Sequence, residues 1–146
     1  QWELFNLSKM KKKKLDKNMK VKKVLKRELA SNRKYKTTYK DIKKYFKVLN
    51  KALFKNILQP FNDIQLKDLK WQKCYGQVIQ WEWKGKGTQQ FHLQMLPFYR
   101  NKKEFVETLA HEMIHLWQMN HKGDTGNHNK LFYSFRPKLN RLGLDL

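Results

Sequence analysis

The chain has 146 residues, with 40% hydrophobic and 14% aromatic side chains, which suits one domain whose core hides about two-thirds of the unfolded surface. Lys+Arg number 33 against 12 Asp+Glu, a formal net charge of +21; such a surface steers polyanions in over long range, unless its lysines are merely solvated. The one cysteine, Cys74, excludes an internal disulfide and a four-cysteine zinc ribbon and fits a reducing, intracellular compartment, while no apolar run approaches the roughly 20 residues of a membrane span and no apolar segment marks a secretory signal.

The charge is uneven. Residues 1–50 carry 18 Lys+Arg and 4 Asp+Glu, and residues 51–146 carry 15 and 8. Residues 1–37 therefore read as a basic N-terminal extension, partly helical or disordered, and 38–146 as the folded domain. Within the extension, KMKKKKLDKNMKVKK (9–23) places like charges at helical spacing, which predicts a frayed or disordered run. VLKRELA (24–30) suits a short helix that SNRKYK interrupts. A stronger helix is predicted over 38–58. Thr38 and Asp41 stand as N-cap and N3, and Ile42, Phe46, Leu49, Leu53 and Ile57 form one stripe that ends before Pro60.

Residues 63–96 read as strands. Ile64 and Leu66 alternate with polar neighbours, QVIQWEWK (77–84) is rich in β-formers, and GKG (85–87) suits a hairpin turn. In TQQFHLQMLP, Phe91, Leu93 and Met95 share one face, while His92 and Gln94 share the other. His92 reads as a sheet-surface side chain rather than a ligand. From Lys102 the period becomes helical, with Phe105, Leu109, Met113 and Leu116 on one face and Gly123 or its polar neighbours at the end. A last helix is predicted over 128–141, kinked or split in two by Pro137.

The chemistry lies in HEMIHLWQMNHKGDTGNHNKLF (111–132). His111 and His115 are four apart, so their imidazoles point at a common spot from one helix face. Glu112 stands one position round, beside that spot. Two neutral nitrogens to hold Zn²⁺ and a glutamate to act as general base on the zinc-bound water are what this spacing provides. A hydrolytic site needs a third protein ligand and an open position. His121 matches the spacing of metzincins, but Gln118 stands where those enzymes have a turn-making glycine. If the helix continues, His121 lies about 240° round from His115 and faces away. His128 follows the flexible link KGDTGN, with Phe132 placed to pack beneath it, and is the favoured third ligand.

In this order of pieces the chain resembles the SprT-like metallopeptidase family, which includes Spartan. The resemblance rests on YFKVLNKALF, NDIQL, KCYGQVI, FHLQMLP, the VETLAHEMIHLWQ helix, the His128-to-Phe132 spacing and the KLNRLG tail, and covers roughly residues 39–146. It implies an α+β domain in which a small antiparallel β-sheet packs on helices, with an HExxH zinc helix and a C-terminal helix. It implies metal ligation by His111, His115 and His128, with Asn129 departing from the glycine that usually follows the third histidine. It also implies proteolysis of DNA-bound proteins, including DNA–protein crosslinks, often stimulated by DNA. One cysteine is too few for a zinc ribbon within these residues, so contact with that DNA, especially when single-stranded, is expected to fall to the lysines.

Trp71, Trp81 and Trp83, near Lys70, Lys73, Lys84 and Lys86, offer a stacking surface for unpaired bases. For Trp81 and Trp83, which share a strand face, packing is the favoured reading. Tyr99, Tyr133 and Arg136 are candidate oxyanion donors, each more readily structural. Gly76 suits a bulge or a substrate-edge position. Two other readings compete with a zinc endopeptidase acting on DNA-bound proteins: a nucleic-acid-binding module with a structural zinc site, and a zinc peptidase with no DNA role.

Overall fold

A computed structural model describes residues 2–82 and 87–146, with the side chains of 2–8, 13–16 and 18 outside that description. Helix α1 spans Trp2–Glu28 and runs through the lysine-rich segment expected to fray. Lys9, Lys11, Lys12, Lys17 and Lys20 are all exposed, where water screens their repulsion and lysine's good helix propensity prevails. Leu25 and, just past the helix end, Leu29 are buried and tie this end of α1 to the core.

The interruption predicted at SNRKYK contains a short strand, β1 (Tyr35–Lys36), which pairs antiparallel with β5 (Phe98–Tyr99). Helix α2 (Tyr39–Phe54) starts as expected, with the Thr38 hydroxyl accepting from the Asp41 N–H at 3.1 Å. It ends earlier than its stripe suggested. Lys55 and Asn56 are both left-handed, with φ of 53° and 62°, and turn the chain so that Ile57 is exposed and Leu58 buried. The buried Asn50 amide holds that turn, donating to the Leu58 carbonyl at 3.0 Å and accepting from its N–H at 3.1 Å.

The main sheet has strand order β2-β4-β3. β3 (Gly76–Glu82) and β4 (Gln89–Met95) are antiparallel, and β2 (Asp63–Leu66) runs parallel to β4. The alternation in β4 holds: Phe91, Leu93 and Met95 are buried on the core face. On the other face Gln94 is nonetheless buried, because it accepts from Gln77 at 2.6 Å and donates to Gln65 at 3.1 Å across both neighbouring strands. His92 stays on that outer face, with its ring 5.9 Å from that of Trp81. Trp83 and the turn expected at 85–87, save Gly87 at φ 59°, lie outside the described residues.

Helix α3 (Lys102–His121) is the central element. Asn101 caps it, accepting from the Glu104 N–H at 2.8 Å. It packs against α2, β3, β4, β5 and α4, so its apolar side chains Phe105, Val106, Leu109, Ala110, Met113 and Ile114 are fully buried. The expected C-terminal helix is two short ones, α4 (Lys130–Tyr133) and α5 (Arg136–Arg141), with Pro137 in the first turn of α5. There its missing N–H leaves no bond unmade. The result is an α+β fold with small sheets packed against helices. No described helix is long and apolar enough to cross a membrane.

Candidate metal centre

Burial on several sides fixes the rotation of α3, and that rotation fixes where its polar residues point. His111 and His115, one turn apart, reach the same side. Gly123 (φ 60°) and Gly126 (φ 76°) let the chain double back after the helix. Asn129 then caps α4, accepting from the Phe132 N–H at 3.0 Å, and this places His128 opposite the two helix histidines. The Nε2 of His128 lies 3.0 Å from that of His111 and 3.2 Å from that of His115. Phe132, fully buried, packs against all three imidazoles with ring centroids 4.7, 4.9 and 4.7 Å away.

Three nitrogens on one spot, with no acid among them, suit a metal ion. Nitrogens sharing a tetrahedral zinc lie about 3.3 Å apart, so these spacings are of the right size. The electrostatics agree. Burial, then the neighbouring His115 and His128, push the His111 imidazole down to about 4. Burial likewise lowers His115. Neutral rings keep a lone pair for a cation. Glu112 is 4% exposed and burial pushes its carboxyl up to about 8; a cation alongside would favour the charged form.

The histidines open onto a cleft of about 730 Å³. Gly76, Gln77 and Val78 of β3 form one wall, and Thr108, His111 and Glu112 of α3 form another. β3 is an edge strand of its sheet, and its first three residues line this space. Strand and helix lie close together at Gly76: a β-carbon there would meet Thr108 Cγ2 at 3.0 Å. Among the carboxyl and amine side chains lining the cleft, four are acids (Glu104, Glu107, Glu112 and Asp145) and one is Lys73, while Arg100 and Lys103 pair with Glu104 and Asp145 from outside the lining. That inverts the balance of the whole chain.

A family model for the SprT-like family matches residues 42–144. The chain belongs to the SprT-like family. No curated protein and no solved structure matches it significantly. Membership brings a zinc-metallopeptidase-like fold, and the matched span contains α2 from Ile42 onward, all of the main sheet and the three histidines.

In this SprT-like chain His121 ends α3 exposed, outside the histidine cluster. Tyr99 is buried and donates to the Tyr75 carbonyl at 2.6 Å. Neither it, Tyr133 nor Arg136 lines the cleft, and Arg136 stacks on Tyr133 and donates to the Leu146 carbonyl. Trp81, expected to pack, is 52% exposed, and Trp71 is 75% exposed. What the sequence reading missed is the role of Gln118. It is fully buried, 2.9 Å from His115 Nδ1, and bonded to the 124–129 loop. Its position three residues after His115, on the same helix side, was the available signal.

Proposed function

We propose that this SprT-like chain is a zinc-dependent endopeptidase that cleaves proteins bound to DNA, DNA–protein crosslinks among them. The observation that carries the reading is the convergence of three imidazole nitrogens beside a buried glutamate in the wall of an open cleft. His111, His115 and His128 would hold the ion. When bound, zinc supplies a Lewis acid and makes water acidic enough to give hydroxide near neutral pH. Glu112 serves as general base and then general acid, taking a proton at its carboxylate and returning it to the leaving amine. A structural zinc site has no use for such a group, which favours the hydrolase over a binding module.

The free edge of β3 suits an extended substrate segment, added as a further strand across the cleft. The charge distribution supports DNA-bound proteins as the class. Carboxylates in the cleft attract basic protein segments, while exposed lysines outside it attract the nucleic acid those proteins occupy. Trp71, exposed and flanked in sequence by the exposed Lys70 and Lys73, and the exposed Trp81 suit stacking by unpaired bases.

The test is cleavage of a basic DNA-binding protein by the zinc-loaded chain, with and without single-stranded DNA, beside Glu112→Gln. Zinc retained by the variant with a loss of about 10²- to 10⁴-fold in rate supports the assigned role. Normal cleavage by the variant overturns it. Cleavage indifferent to DNA keeps the hydrolase and returns the lysines to solvation.

A further inference from the structure

Gln118 is fully buried in α3. A primary amide there costs stability unless its atoms are bonded, and its two ends are bonded to different things. The Oε1 end lies 2.9 Å from His115 Nδ1. The Nε2 end donates to the Asn127 carbonyl at 2.9 Å, to Asn129 Oδ1 at 3.1 Å and to Asp124 Oδ2 at 3.2 Å. Asn127 and Asn129 are the residues on either side of His128.

This arrangement dictates a proton position. The Asn127 carbonyl only accepts, so the amide nitrogen must face the loop and the amide oxygen must face His115. That oxygen also only accepts, so His115 Nδ1 must carry the proton. Its Nε2 is thereby left with a lone pair aimed at the point it shares with His128 Nε2, 3.2 Å away. Asp124 secures the far side, accepting from Asn129 Nδ2 at 2.8 Å and from the Thr125 N–H at 2.7 Å.

We propose that Gln118 is a positioning residue. One amide fixes the tautomer of a histidine supplied by α3 and, through its other end, the seat of the histidine supplied by the loop. The two half-sites are thus set by the same side chain before any ion arrives. The inference rests on the three histidines being metal ligands.

The experiment measures zinc affinity by competition with a chromophoric chelator, the nitrogen-15 spectrum of the imidazoles in metal-free protein, and amide exchange over residues 124–129. Gln118→Leu removes both ends. It should weaken zinc binding by about 10- to 100-fold and move His115 from one tautomer to a mixture. Gln118→Glu separates the ends: it keeps an acceptor for Nδ1 but removes the donors and sets a charge beside Asp124. His115 should stay protonated at Nδ1 while the loop exchanges faster and zinc binds more weakly. Adding Asp124→Asn to Gln118→Glu returns a donor opposite the carboxylate and should recover part of the affinity.

Wild-type affinity within twofold for Gln118→Leu, with an unchanged imidazole spectrum, overturns the proposal and leaves the metal reading intact. If that variant does not fold, Gln118→Glu decides alone, and unchanged affinity with unchanged loop exchange overturns it. A wild-type chain that binds no zinc removes both the metal reading and this inference.

Discussion

Among single residues, position decides what chemistry a side chain has available. His121 and His128 are the same residue type, yet only His128 is brought within 3.2 Å of the helix histidines. His128→Ala should therefore lose stoichiometric zinc, and His121→Ala should keep it, as read by metal analysis after dialysis. The opposite pattern would restore the metzincin-like spacing. Gly76 is set by contact rather than by chemistry. A side chain there meets Thr108 and, at 3.3 Å, Met95 Sδ, so Gly76→Val should cost about 1–3 kcal/mol in chemical denaturation by pushing β3 off α3. Zinc affinity should stay unchanged in that variant, because none of the three histidines lies on β3. HExxH was legible in the sequence because its spacing is local to one helix. The partners of Gln118 were not, because they lie up to 11 residues further on, across a loop whose path no periodicity describes.

At the scale of elements, α1 and α2 are joined by Glu28, which accepts from the Tyr45 hydroxyl and pairs with Lys44 Nζ at 3.3 Å. The Tyr45 hydrogen bond, followed by Lys44, holds the Glu28 carboxyl below its ordinary value against the opposing effect of burial. A lowered folded value means the charged form is the one the fold favours. The contribution is thus complete above the unfolded pKa of about 4.3 and is lost as pH falls through the folded value. Glu28→Gln should accordingly be less stable than the parent by about 0.5–1.5 kcal/mol at pH 7. The difference should shrink below about pH 4; a gap that persists in acid would assign it to packing. The helices α2 and α3 were predictable because their apolar faces, and the Thr38 cap of α2, are local. The strands β1 and β5 were not: each has two residues, too short for any alternation to register.

Across the whole molecule, charge is segregated. The net is +21, exposed lysines run along α1, and carboxylates gather in the cleft. If nucleic acid is a partner, single-stranded DNA binding should weaken with salt, at a slope of about 0.7 per phosphate neutralised. Changing Lys11, Lys12, Lys20, Lys22 and Lys23 to Gln should flatten that slope while leaving cleavage of a free peptide unchanged. An unaltered slope would place the nucleic-acid contacts elsewhere. The sequence showed where the lysines are but not where the acids meet. Glu104, Glu107 and Glu112 come from α3, and Asp145 comes from beyond α5.

What the sequence determined by itself was whatever depends on neighbours within a turn or two: the cap at Thr38, the apolar faces of α2 and α3, the division of the last helix at Pro137, and the His111–Glu112–His115 group. Backbone hydrogen bonding and helical period act over that range, so residue spacing carries the information. Tertiary structure alone decided which way α3 is rotated, that the 124–129 loop is tied to it through Gln118, and that β3 runs along the cleft. Those outcomes depend on burying one surface against several others at once, and long-range packing of that kind leaves no periodic trace along the chain.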